Sequence, residues 1–243
     1  MIVANVRHRL TRDDAQLVLR LVSRHDGARR AEAEATLRDD GIDALLDDPR
    51  LLEGLVRTPA GANASLPLFC YVVVRHALRA HGEHDRVTTD YVAALLLEFG
   101  FRRRAWRIAE GDDETYETLA QLLEDAEHGD PRRTFLVRAH LGNFALWLAG
   151  CFPDRIEHRH WRKGGPDLDY YDTLGARGFR MAADHRLAGE HGLRGLYTHA
   201  ADHFPQLRVA LNAVSDTLMF PHVHTPERLM RQVRDESRWR LAS

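Results

Sequence analysis

The chain has little of what usually announces a function. Its 243 residues hold two cysteines, one lysine (Lys163) and 8% aromatic residues. Cys70 and Cys151 lie in apolar surroundings, "LPLFCYVVV" and "WLAGCFP", so buried free thiols are expected rather than a disulfide framework. The longest uninterrupted apolar run, "FALWLAGCF" at 144–152, is too short to span a bilayer. The start, "MIVANVRHRLTRDD", has no basic segment leading into an apolar one, so no secretion signal is read and a reducing cytoplasm is the expected setting. Strand-like alternation, hairpin dipeptides, repeats and low-complexity tracts are missing. So are a Walker loop, a Gly-x-Gly-x-x-Gly after a strand and a Gly-x-Ser-x-Gly elbow. No coherent catalytic set emerges, and whether the chain is an enzyme stays open at this point.

What is present is charge, nearly balanced: 34 basic and 36 acidic residues, a formal net charge of −2. That balance argues against a nucleic-acid or membrane partner and for a salt-bridged surface. "FRRRAWR" and "RQVRDESRWR" do mix arginine with tryptophan, which can grip phosphates and stack on bases, and a nucleic-acid-binding helical regulator is the weakest of three readings.

The punctuation is helical throughout, which predicts an all-α, bundle-like fold of roughly nine or ten helices. Thr11 opens "RDDAQLVLRLVSRH", and "ARRAEAEATLRDD" reads as an exposed helix or connector. The loop-like "TPAGANASLP" at 58–67 suggests an N-terminal lobe, 1–60, and a main domain, 61–243, unless the two are continuous. In "LPLFCYVVVRHALRA" the spacing of Phe69, Val73, His76, Ala77 and Ala80 favours a helix over a buried strand. Asp112 and Asp113 look like caps for "ETYETLAQLLEDAEHG". "PRRTFLVRAHLGNFALWLAG" turns apolar on all sides after Leu141 and should be central. In "PDRIEHRHW", Ile156 and Trp161 are expected to pack inward.

The helix predicted from Pro166 to about residue 192 carries Leu168, Tyr171, Gly175, Gly178, Ala182, His185 and Gly189 along one stripe. Each interior glycine costs about 1 kcal/mol relative to alanine, so several on one stripe imply that another backbone or a ligand comes close. Tyr171, Gly175, Gly178 and Ala182 are therefore the candidate ligand or helix-contact residues. Amphipathic 205–219 and 226–241 add to this a first reading: a non-catalytic all-α protein acting through helix-mediated association or ligand binding, with a homo-oligomer or another protein as partner.

Fifteen histidines supply the second reading, a histidine-ligated metalloprotein or metalloenzyme for metal-assisted hydrolysis or oxidation. "HAADH" sets His199 and His203 four apart on one helical face, a spacing that suits zinc or iron, with His185 and Glu190 as further ligands. Glu157 and His160 match one half of a di-iron Glu-x-x-His pattern, but no second half occurs. No cofactor is required by any motif. Asp169 and Asp172 form a possible paired-carboxylate face, read here as first-turn decoration of a helix.

Overall fold

A computed structural model describes residues 1–24, 26–101, 104–109, 112–127 and 129–242, the side chains of Phe101 and 238–242 excepted. Among the described residues the chain forms fourteen α-helices and no strand. The fold is all-α, with more helices than the nine or ten expected, because several predicted helices are broken by their own caps. The chain divides into two compact units, 2–102 and 103–243, Met1 falling with the second.

The first unit contains α1 (Arg12–Ser23), α2 (Gly27–Asp39), α3 (Ile42–Leu46), α4 (Pro49–Arg57), α5 (Leu66–Ala80) and α6 (Arg86–Leu96). Thr11 and Asp14 form a capping box: the Thr11 hydroxyl accepts from the Asp14 amide at 3.2 Å, and the Asp14 carboxylate accepts from the Thr11 amide at 2.9 Å. The loop-like 58–67 stretch lies inside this unit, with a short 3₁₀ turn over Pro59–Asn63. "YVVV" is helical, but the stripe of α5 that is most buried is not the one its apolar spacing suggested. Leu68, Tyr71, Val72, Arg75 and Leu78 are buried, whereas of the expected stripe only Val73 is buried, Phe69, His76 and Ala77 are partly so and Ala80 is exposed. Arg75 goes inward because Asp47 accepts from its Nε at 2.8 Å and the His84 carbonyl from its Nη1 at 2.7 Å. A hydrophobic pattern does not register a buried arginine that is fully paired.

The second unit is built on α8 (Pro131–Cys151), buried through most of its C-terminal half as its composition implied. Against it pack α7 (Leu119–Asp125), α10 (Leu168–Ala183) and α13 (Phe204–Val214). The remaining helices are α9 (Pro153–Lys163), α11 (Arg186–Glu190), α12 (Arg194–Asp202) and α14 (Pro226–Ala242). The chain turns by 86° between α8 and α9. Among the described residues no single helix is long and apolar enough to cross a membrane.

Small residues set the α8–α10 distance. A Cβ on Gly178 would lie 2.7 Å from the Gly142 amide nitrogen of α8, and one on Gly175 would lie 2.9 Å from the Ala145 Cβ and would also strike Phe204. Ala182 is fully buried. The small-residue stripe of α10 is thus occupied inside the unit, and it is not a surface left for another chain. The stripe is also shorter than predicted. α10 stops at Ala183, and His185 caps the separate α11, its Nδ1 accepting from the Leu187 amide at 3.2 Å.

A second correction concerns 112–118. Asp112 and Asp113 do not cap a helix; α7 starts at Leu119, and Thr118 and Gln121 form its capping box. Arg133, near the start of α8, draws this segment aside. It donates to Asp112 at 3.2 Å, to the Tyr116 hydroxyl at 2.7 Å and to Asp125 at 3.0 Å. With Glu114 as a further acceptor, one guanidinium satisfying four partners outweighs a local cap worth about 1 kcal/mol.

The close crossing makes a test. Gly178→Ala should destabilise the protein by about 1–3 kcal/mol, since the added methyl meets backbone that cannot rotate away. Urea unfolding monitored by circular dichroism measures it; unchanged stability would mean that α8 and α10 do not approach this closely.

Candidate functional site

α13 and the residue that follows it bring two polar side chains into the interior of the second unit. Asn212 donates from Nδ2 to the carbonyls of Ala149 and Gly150, at 2.7 and 2.8 Å, and the Ser215 hydroxyl donates to the Cys151 carbonyl at 2.8 Å. These are carbonyls left without helical partners at the end of α8, where the chain must turn sharply. One turn before Asn212, Arg208 is only 1% exposed. Its Nε donates to Asp172 of α10 at 2.8 Å, its Nη1 to Asn212 at 2.9 Å and to Asp235 of α14 at 3.2 Å. Burial works against the charge on Arg208, but the two carboxylates outweigh it and hold its pKa above the ordinary arginine value. Asp172 is therefore half of an interior ion pair, and Asp169, exposed, does not share its role.

α14 continues the pattern with arginines spaced three apart. Arg228 and Arg231 are 3% and 2% exposed. Asp154 of α9 accepts from Arg228 Nε at 2.8 Å and from Arg231 at 3.2 Å, and Asp216 accepts from Arg231 at 2.7 Å. Arg234 pairs with Glu157, the second acid of α9, which also accepts from the Trp161 indole at 3.2 Å. The basic helix that sequence offered to nucleic acid thus spends Arg228, Arg231 and Arg234 on carboxylates of its own chain. The remaining arginines of that motif, Arg238 and Arg240, and Arg102 and Arg103 of "FRRRAWR", lie outside the residues whose side chains are described.

The consequence falls on α9. Both its acids point at α14, and its basic residues Arg155, Arg159, Arg162 and Lys163 have no carboxylate within ion-pair distance among the described residues. Trp161, expected inside, is 59% exposed. Ile156 does pack inward, against Ala149 and Leu168 with Leu148 and Tyr171 at the edge.

Beside this face lies a groove of about 310 Å³. Its wall is apolar and aromatic, with Trp106, Leu148, Phe152, Tyr170 and Tyr171, and Arg155 and Arg159 stand along it. Among the described residues Glu117 is the one carboxylate of the lining. Tyr171 was a predicted candidate, and it is the member of that set found here; Gly175, Gly178 and Ala182 serve the helix crossing. Burial raises the Tyr171 pKa, and the charges of Arg159 and Arg155 pull the other way. Its hydroxyl has no hydrogen-bond partner among the described residues. Trp106 is set by two tethers: its carbonyl accepts from the Tyr116 amide at 2.9 Å, and the adjoining Ala105 carbonyl is 2.9 Å from His140 Nε2. Its ring meets Phe144 edge-on at 5.4 Å.

The metal candidates divide. His199 and His203 stand side by side, ring centroids 4.1 Å apart, with His203 Nδ1 3.0 Å from the His199 carbonyl. His185 caps α11 and stacks on Phe135 at 5.4 Å, and Glu190 is ion-paired to Arg186. Among the described residues no three of the His, Cys, Asp and Glu side chains are grouped to hold a metal. His160 Nδ1 contacts the Gly165 carbonyl at 2.8 Å, and both cysteines are buried free thiols.

Sequence reading missed Arg208, Asn212, Arg228 and Arg231, since arginine in an amphipathic helix reads as surface. The spacing of three in 228, 231 and 234 was the available signal. It also gave no sign of the groove.

Two measurements probe this arrangement. Arg208→Leu strands Asp172 and Asp235 without a cation and should cost about 3–5 kcal/mol at pH 7, and less at pH 5 where the stranded acids take up protons. Replacing Arg208, Asp172 and Asp235 together by leucine should recover much of the loss. Burial depresses His140 to about 4. A histidine held neutral in the fold stabilises it above the unfolded pKa near 6.5, and that contribution, about 3 kcal/mol, is lost as pH falls from 6.5 towards 4. Urea unfolding across this range should show a shallower pH slope for His140→Gln than for the parent; equal slopes would count against it. No family model matches the chain, and neither a curated protein nor a solved structure is significantly similar to it.

Proposed function

We propose that the chain is a non-catalytic helical protein that acts by binding a small anionic molecule in the groove beside α9. One observation carries this reading: α14 engages both acids of α9 and leaves Arg155 and Arg159 uncompensated along an aromatic wall. Two like charges one helical turn apart repel each other, and a bound anion would turn that repulsion into attraction. The volume lies at the small end of the range for ligand pockets, and an apolar wall with a few placed polar groups is their usual make-up. Among the described residues the groove offers no nucleophile paired with a base, which favours binding over turnover.

A histidine-ligated metalloprotein is the second reading, and the side-by-side His199 and His203 favour it. Stoichiometric zinc, iron, manganese or copper in protein purified without a tag would place it first.

The binding reading is tested with 8-anilinonaphthalene-1-sulfonate, which is both anionic and aromatic. Saturable fluorescence enhancement by the native protein is expected, with affinity at least tenfold lower for the Arg155→Gln/Arg159→Gln double variant, about 1.4 kcal/mol. Both arginines are exposed, so circular dichroism and melting temperature should not change. Equal affinity in parent and variant would overturn the reading.

A further inference from the structure

α14 wears its amphipathic pattern inside out. A surface helix normally turns its apolar stripe to the core and its charges to water. α14 instead buries Arg228, Arg231 and Asp235 and leaves Leu229, Met230 and Val233 59%, 59% and 64% exposed. The cause is the set of carboxylates that draws the arginines inward, described above. Three large apolar side chains grouped on one outward face are of the kind that marks an interaction site. We infer that this face pairs with the same face of a second copy of the chain, the two α14 helices lying antiparallel across a two-fold axis.

Charge complementarity selects this occupant. Met230, Val233 and Ser237 follow the alternating three- and four-residue spacing of a pairing seam, and Glu227 and Arg234 stand seven residues apart along one side of it. Glu227 has no cation within ion-pair distance among the described residues. Arg234 gives one amino group to Glu157 and keeps 36% of its side chain exposed. In a two-fold antiparallel pair each side of the seam meets the same side of the other copy. Glu227 of each copy then faces Arg234 of the other, while Met230 of each packs on Val233 of the other. A parallel pair would set that side against the opposite one, where Leu229 rather than an acid would meet Arg234. A lipid surface or a nucleic acid suits the face less well. The arginines of α14 whose side chains are described are turned inward or ion-paired, so an anionic surface approaching from outside meets Glu227 and Glu236. A formal net charge of −2 also leaves two copies with little mutual repulsion.

Sedimentation velocity of the full chain from about 1 to 100 μM should show monomer passing to dimer, the range expected of a small interface. Met230→Glu/Val233→Glu should leave a monomer at the top of that range, with circular dichroism and melting temperature unchanged because both side chains face water. Glu227→Arg should weaken the dimer tenfold or more. Cys70 and Cys151 are buried, so an introduced cysteine reports the pairing under mild oxidation. Met230→Cys, close to the axis, should cross-link, and Ser237→Cys, which an antiparallel pair carries apart, should not. A monomer throughout the range, or a dimer indifferent to Met230→Glu/Val233→Glu, overturns the inference. So does a monomer that sediments with phosphatidylcholine vesicles, which would give the face to lipid. Cross-linking through Ser237→Cys, or failure of Met230→Cys to cross-link, overturns the antiparallel arrangement.

Discussion

Arg208 sits where water cannot reach it, so its charge must be met by other side chains. Asp172 from α10 and Asp235 from α14 meet it, and Asn212, one turn along α13, accepts from it while holding the end of α8. Four helices are therefore tied through one guanidinium. An interior ion pair of this kind is a poor source of net stability, because two or three desolvated charges cost nearly as much as their attraction returns. Its leverage lies in direction. A planar fork accepts partners only where its N–H groups point, so a shifted register of α13 would leave charges buried and unpaired. The interior pair fixes how α10, α13 and α14 meet, and small residues fix how near α10 comes to α8.

From that placement the rest of the second unit follows. Once Asp235 is drawn inward, the face of α14 that carries Arg228, Arg231 and Arg234 is turned to α9. Those arginines then collect Asp154 and Glu157. A chain with almost no net charge thereby creates a local excess, since carboxylates taken by one helix are lost to the next. The basic side of α9 is the product of that redistribution, and it borders the groove formed where α8 ends and the chain turns.

Much of the local structure was legible. Prolines at the first helical position, aspartate or threonine caps and three- and four-residue apolar spacing marked out α1, α8, α9, α10, α12 and α13. The two buried thiols and the tight crossing at Gly178 were also legible, because burial of cysteine and the cost of helical glycine are properties of the residues themselves. The errors share a cause. Trp161 was placed inside by its apolarity, and Asp112 was made a cap by its type. In each case a polar partner that residue type does not reveal decided: Glu157, one turn back on α9, holds the indole at the surface, and Arg133, from the next helix, captures Asp112. The groove was not legible because nothing in "EHRH" tells which of its charges a neighbouring helix takes up.

The sequence by itself determined the helical class, the Thr11 cap of α1, the apolar course of α8 and the small residues of α10, since these depend on near neighbours and on the 3.6-residue period. Only the tertiary structure decided which of many arginines and carboxylates pair. Opposite charges are interchangeable along a sequence and become distinct when burial and geometry select among them. That selection put Arg208 in the interior, gave the acids of α9 to α14, and left Arg155 and Arg159 beside an aromatic wall.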